Sequence, residues 1–449
     1  MSLSRGAGLG SIGLSNSSPN LGGSGTEDGS DPTTRFAPGA NSAWDFINNY
    51  ARFKDVYYGP LANTPGWSFT RASTGYAQTA AGVLVPFASG ELRRTDKGVL
   101  IEGAGTNLCL QSQTFDNASW TKSQTTVSAD AVAAPDGTTT ADKLTEDTDA
   151  GVHDAIQSFT KAASATQYTA TCYLKAGERT YGRVGIDAGN STNQAFAVFN
   201  LSAGTIQTAA TVAGTFTSGS ATISALGNGW YRCSVTGTTG TETTVRVRIM
   251  LANASVNINY TGDGTSGIYL WGAQLEATAY ASSYVPTTTA SATRAADVLS
   301  VPVTMASPLT GFLEFAYADG VTSASAAASQ YGLVLGSTDN SNRLILYNPS
   351  SANGQIVQVA AATQSQIGVA GLVLSGVTQK VASRVATNDF QFASNGTLGT
   401  PDVSGTALSD IVTARFGGIA GTNATFGYLR RAALWTRALT NAELQAVTT

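Results

Sequence analysis

Apolar side chains recur at every second position through much of the chain. Segments 168–174, 195–201, 229–236, 244–251 and 267–276 alternate apolar with polar residues and are bounded by Gly, Asn, Asp and Ser clusters. A period of two sends successive side chains to opposite faces, so each segment reads as a half-buried strand. In 244–251 this places Val245, Val247 and Ile249 on one face, with Arg246 and Arg248 opposite, on a face expected to meet solvent. The pattern resumes at 311–317, 331–335, 343–347 and 427–435. Helical periodicity is nearly absent until Thr440, which stands three residues before Glu443. That spacing is a capping box and predicts a short terminal helix. Many short strands with regular turn signals predict an all-β fold of two antiparallel β-sandwich (jelly-roll-like) domains.

The texture along the chain divides it further. Residues 1–43 form a Gly/Ser-rich arm whose scattered aliphatics are Leu3, Leu9, Ile12 and Leu14. Such a stretch buries too little apolar surface to offset its ordering entropy. It reads either as a flexible tail or as an arm that orders on a partner, those four side chains filling the partner's pockets. Aromatics concentrate from Trp44 onward, and strand-like pieces follow at 67–71, 82–86 and 98–102, so 44–106 is expected to be a small β-rich connector. Residues 107–296 are then the first sandwich and 297–449 the second.

Composition narrows the function. Only 12% of the 449 residues are charged, about half the ~25% usual for soluble domains. The net charge of −4 gives no electrostatic grip on phosphate backbones, so nucleic acid is not an expected partner. No apolar run approaches the roughly 20 residues that span a bilayer, and the first residues lack the apolar core of a signal peptide. No membrane insertion is expected, and synthesis in the cytoplasm is.

The scarce reactive residues point away from catalysis. Cys109, Cys172 and Cys233 lie far apart, without metal-ligand spacing, and the last two fall in strand patterns, as buried hydrophobes do. His153 is the single histidine and stands in an acidic stretch with no nucleophile motif around it. A glycosidase needs only a pair of carboxylates, and none of the 29 acids is singled out as such a pair. Asp142, Glu146, Asp147, Asp149 and Asp154 fall close together. Their spacing departs from a calcium loop at its fifth and twelfth positions, which favours a solvated loop over a metal site. No cofactor and no metal is expected.

Two stretches carry a resemblance. Asn107-Leu-Cys-Leu-Gln-Ser-Gln-Thr-Phe115 continues to Trp120; Gly229-Trp-Tyr-Arg232, Gly272-Ala-Gln-Leu-Glu276, Ser283-Tyr-Val-Pro-Thr287 and Thr293-Arg-Ala-Ala-Asp297 follow in order. With the lead-ins Phe69-Thr-Arg71 and Gly98-Val-Leu-Ile-Glu102, this series resembles the carbohydrate-binding-module-like sandwich of tailed-bacteriophage fibre and spike proteins. The segment from Gly427 to Gln445 resembles the last strand and helix of laminin-G/concanavalin-like jelly rolls.

The resemblance implies a virion-surface structural protein, a head or tail fibre, homotrimeric and displayed for host attachment. Its arm (Leu3, Leu9, Ile12, Leu14) would bind other virion proteins. It also implies possible contact with a host cell-surface glycan, for which Tyr181 and Tyr280, near turns, are the candidate stacking platforms. Trp120, Trp230 and Trp271 are expected in the core. A polysaccharide-depolymerising tailspike enzyme is the competing reading.

Overall fold

The fold is that of a computed structural model describing residues 31–318, 330–348, 352–370, 376–419 and 426–449. Leu3, Leu9, Ile12 and Leu14 lie outside the described residues. The chain forms antiparallel sheets stacked in two sandwiches, as the alternation predicts.

In the first sandwich, one six-stranded sheet runs in the order Thr121–Ser123, Asp154–Thr160, Thr244–Ala252, Tyr181–Asp187, Gln194–Asn200, Thr205–Ala213. The facing six-stranded sheet runs Thr125–Val132, Ala141–Glu146, Gly267–Glu276, Gln167–Ala176, Trp230–Thr238, Thr217–Ala225. Val245, Val247 and Ile249 enter the core between them, against Leu174, Val235 and Leu270. Cys172 and Cys233 are register partners on adjacent strands, and their side chains join the same core. All three cysteines are free and buried, and burial pushes their thiols upward.

Most of the stretch 44–106 forms no separate connector; only the hairpin of Gly75–Gln78 and Leu84–Phe87 stands as a two-stranded sheet of its own. Ser42–Asp45 pairs with Gly427–Trp435 near the C-terminus, Gly98–Ile101 pairs with the same strand, and Ser68–Thr70 pairs with Val298–Met305. These strands therefore complete the two sheets of the second sandwich. The physical reason is burial: Trp44, Phe46, Val99 and Ile101 find their apolar cover against Leu313, Phe416 and Leu429. Local sequence marks them as strands without marking partners more than two hundred residues away.

Arg246 and Arg248 lie opposite the core, as alternation requires, yet they do more than meet solvent. Arg246 makes a forked pair with Asp187 at 2.6 and 2.9 Å, and Arg248 donates from Nε to Asp154 at 2.7 Å. Arg183 lies beside them over the Phe196 ring. Burial, with Arg248 next to it, pulls its guanidinium down to about 10.

The terminal helix, Asn441–Thr448, begins where the capping box places it. Thr440 Oγ1 accepts from the Glu443 amide at 3.3 Å, while Glu443 Oε2 accepts from the Thr440 amide at 2.7 Å. Leu444 is buried and fixes the helix to the sandwich. Thr440→Ala is expected to lower unfolding free energy by about 1 kcal/mol. Urea denaturation checks this, and an unchanged midpoint would remove the cap from the account.

Candidate functional site

The sheet containing Trp230–Thr238 has a polar outer face turned away from the core. Register aligns its side chains in rows crossing four strands: Ser220, Thr236, Thr169 and Glu276; then Thr222, Ser234, Thr171 and Gln274; then Ser224, Arg232, Tyr173 and Trp271. The last strand joins these rows only because it carries a bulge, with Gly272 at φ 61. A Cβ at Gly272 would come within 2.9 Å of the Tyr173 ring, and left-handed backbone disfavours other residues there. The bulge turns Trp271, Gln274 and Glu276 onto the outer face, while Leu270, Ala273 and Leu275 stay in the core.

Hydroxyls dominate this surface. Thr169 and Thr236 bond to each other at 2.8 Å, and Thr222 and Ser234 at 2.5 Å. The segment after Glu276 folds back over one half of the face. Glu276 accepts from the Ser282 amide at 2.9 Å and from its hydroxyl at 2.6 Å, and Gln274 accepts from the Val285 amide at 2.9 Å. Tyr284 packs on Trp271 with ring centroids 4.5 Å apart. The half carrying Ser220, Thr222 and Ser234 stays partly open.

An ion cluster fixes that covering segment from the other side. Arg93, fully buried, bonds to Glu102 at 2.6 Å and also to Asp297. Arg71 reaches Asp297 at 3.2 Å, and Arg294 reaches Glu102 at 3.4 Å. Backbone carbonyls take up further guanidinium N–H groups: Ala88 from Arg71 and Gly103 from Arg294, each at 2.6 Å. Arg93 donates to the Ser283 hydroxyl at 2.8 Å, and Glu102 accepts from the Ser283 amide at 2.9 Å. Burial alone would raise Glu102; the Arg294 and Arg93 charges and the Ser283 amide override it and hold the carboxyl at about 2.

A groove follows from this arrangement. One lobe, with about 40 Å³ of free volume, is walled by Tyr76, Tyr173, Tyr284, Tyr428, Glu102 and Arg232. A second, with about 20 Å³, runs over Ser220, Thr222, Ser234 and Thr236 towards Tyr280. Ser224, Arg232 and Ala281 line both. Polar hydroxyls, tyrosine rings and a guanidinium converging on one cleft suit a polyhydroxylated ligand: hydroxyls and the guanidinium exchange hydrogen bonds, and rings pack on C–H faces.

The two tyrosines singled out in the sequence do not meet. Tyr181 lies on the opposite sheet, paired with Asn200 and Ala252, and its hydroxyl accepts from Asn200 at 3.5 Å. Tyr280 does border the groove. Its ring, however, stands edge-on to Phe426 with centroids 4.3 Å apart, and burial pushes its phenol upward. It serves as a wall of the groove rather than an open stacking platform. Trp120, Trp230 and Trp271 are buried. Sequence reasoning missed the outer-face rows and Arg232, although Gly229-Trp-Tyr-Arg232 and Gly272-Ala-Gln-Leu-Glu276 had marked them. Alternation alone identified the side facing away from the core.

Of the acidic stretch 142–154, only the turn with Asp147 and Asp149 is a solvated loop; Asp142, Glu146 and Asp154 lie on strands and are buried. Asp142 is buried and accepts the Phe115 and Asp130 amides at 2.7 and 3.0 Å. Glu146 takes the Tyr260 hydroxyl at 2.6 Å and the Arg179 guanidinium, and Asp154 takes Arg248. These carboxylates were strand positions whose partners lie elsewhere in the chain. His153 is buried as well, its ring nitrogens 2.7 and 3.1 Å from the Gln124 and Tyr260 carbonyl oxygens. Among the described residues no three His, Cys, Asp or Glu side chains are grouped to hold a metal ion. No helix among them is long and apolar enough to cross a membrane.

Two outcomes follow for stability. Arg93→Ala leaves Glu102 and Asp297 buried without their shared partner and is expected to cost about 3–5 kcal/mol; a loss under about 1 kcal/mol in chemical denaturation would contradict it. The pH profile is set by opposed carboxyls. Glu102, held at about 2, contributes stability that is full above its ordinary 4.5 and is lost as pH falls towards 2. Asp142, raised by burial to about 6 from 3.8, costs stability when ionised, so stability rises as pH falls through 6. Thermal unfolding should therefore peak near pH 4, where Glu102 is still largely ionised and Asp142 is protonated, and should decline towards pH 6. Asp142→Asn should flatten the decline between about pH 4 and 6, and an unaltered decline would count against its role.

No family model matches the sequence, and no curated protein does. Among solved structures, the chain is similar to the CBM40 domain of a Ruminococcus gnavus IT-sialidase bound to α2,3-sialyllactose, at 18% identity over 32% of this chain and 84% of that one, with a TM-score of 0.27. It is similar to domains LG4-5 of the mouse laminin α1 chain at 10% identity, over 66% and 90% of the two chains, with a TM-score of 0.24. Sheep galectin-11 matches at 8% identity over 30% and 95%, with a TM-score of 0.22. These neighbours are carbohydrate-binding-module, laminin-G and galectin-like β-sandwich domains, at similarities too low to argue a ligand from.

Proposed function

We propose that this chain is a non-catalytic structural protein of a tailed-phage particle, a head or tail fibre, whose first sandwich binds a saccharide of the host surface in the groove beside Arg232. The observation that carries the binding half of this reading is the outer-face array: rows of Ser and Thr hydroxyls ending at Arg232 and a tyrosine cluster, partly roofed by the 278–285 segment. The ordered motif series from Asn107 to Asp297 supports the fibre half.

The groove favours binding over cutting. Two-carboxylate hydrolysis needs one acid that keeps its proton near neutral pH. Glu102, the carboxyl in the groove wall, is held at about 2 by its arginines and stays ionised, while Glu276, which burial pushes upward, lies beneath the covering segment, bonded to Gln274 and Ser282. Attachment through weak individual contacts gains from multivalency, which agrees with a homotrimer anchored by its N-terminal arm. The strands Thr205–Ala213 and Thr217–Ala225 carry no charged residue and close the two sheets at one side. Uncharged edges of that length invite pairing with another chain.

A panel of bacterial surface polysaccharides, immobilised and probed with the full chain, tests the reading. Saturable binding is expected, weakened about tenfold by Thr222→Val with Ser234→Val, which removes two mutually bonded hydroxyls at little cost to folding. Absence of binding throughout the panel, or binding unaltered in the double variant, would reject the groove. Sedimentation should give a trimer at micromolar concentration; a monomer would reject the fibre.

A further inference from the structure

The composition of the groove selects a narrower class of ligand. Arg232 stands where the two lobes meet, and both are lined by it. A guanidinium offers five N–H groups. Nη2 of Arg232 donates to the Ser282 carbonyl, and Nε is buried without a partner. Among the described residues no carboxylate oxygen lies within the 4.0 Å of an ion pair with it. Its ring neighbour is Tyr173, with the guanidinium 5.8 Å from the ring centroid.

The charges around it do not balance. Arg71, Arg93, Arg294 and Arg232 gather at this junction with only Asp297, Glu102 and Glu276 as carboxyls. Glu102 is already used by Arg93, Arg294 and the Ser283 amide. Glu276 is taken up by Gln274 and Ser282, and burial pushes its carboxyl upward. At least one positive charge is therefore in excess, and the guanidinium outside the ion pairs is Arg232. Charge withdrawn from water is stabilised by an opposite charge with matching hydrogen-bond geometry.

Size gives the second constraint. Volumes of about 40 and 20 Å³ open to a water-sized sphere exceed the roughly 10–15 Å³ that one water needs on that measure. The enclosed part of the groove takes a substituent of a few atoms, while the sugar ring lies in its open part. We infer that the groove recognises saccharides bearing a carboxylate, such as uronates: the carboxylate enters beside Arg232 and pairs with its guanidinium, while the ring lies across the Ser220, Thr222 and Ser234 hydroxyls. This inference rests on the saccharide-binding reading above and adds the chemical class of the ligand.

The test uses the same polysaccharide panel in two forms, native and with uronate carboxyls reduced to alcohols, including polymers that carry glucuronate, galacturonate and no acid. The full chain is expected to bind uronate polymers at least about tenfold more tightly before reduction than after it. Arg232→Gln should erase that difference, and Arg232→Lys should keep part of it, since the charge remains but the fork is lost. Circular dichroism and unfolding temperature establish that both variants are folded; if Arg232→Gln is not, the native-to-reduced ratio in the wild-type chain decides alone. Equal binding of native and reduced polymers, preference for neutral ones, or an undiminished preference in folded Arg232→Gln would overturn the inference and leave saccharide binding standing. No binding to any member would overturn both.

Discussion

Three arginines and two acids buried together hold this molecule in its shape. Arg71 and Arg93 come from the lead-in before the first sandwich, Glu102 from the end of a strand in the second, and Arg294 and Asp297 from the return between the two. Partners such as Arg71 and Asp297 are 226 positions apart in sequence. Taking so many charges out of water is expensive unless every one is paired and hydrogen-bonded. That requirement makes the arrangement selective: the guanidiniums must meet carboxylates and carbonyls drawn from separate parts of the chain.

The groove is a consequence of the same cluster. Arg93 and Glu102 both reach Ser283, which sets the path of the segment lying over the outer face. The neighbouring Ser282 carbonyl then holds Arg232 in the cleft. The roof of the cleft and the placement of the guanidinium thus depend on this cluster, while the hydroxyl rows follow from strand register. Low overall charge acquires a local meaning here: a face built of Ser and Thr offers many weak hydrogen bonds, and the few charges present are either paired or, as with Arg232, left at a cleft.

Much of the fold was legible in the sequence because alternation is a local signal. Val245, Val247 and Ile249 went inward, and Thr440 capped its helix where the spacing placed it. What was illegible depended on partners remote in the chain. Trp44 and Val99 announce strands without naming the C-terminal sheet they complete. Asp142, Glu146 and Asp154 look like a solvated acidic run until Phe115, Arg179 and Arg248 are brought against them. Arg246 and Arg248 faced outward as expected, but a face turned from one core can still be lined with paired charge. The site was half legible: Arg232 and Glu276 sat in recognisable motifs, while Tyr181 and Tyr280 were chosen by their nearness to turns. Position beside a turn does not tell whether a ring is open, and Phe426 closes off Tyr280.

Backbone amide hydrogen exchange in the presence and absence of a saturating saccharide addresses most directly whether the outer face beside Arg232 is the recognition surface. The account requires slowed exchange in Thr217–Ala225, Trp230–Thr238 and residues 278–285, with the opposite sheet unchanged. Protection centred instead on Tyr181–Asp187 and Gln194–Asn200, or confined to the second sandwich, would contradict it.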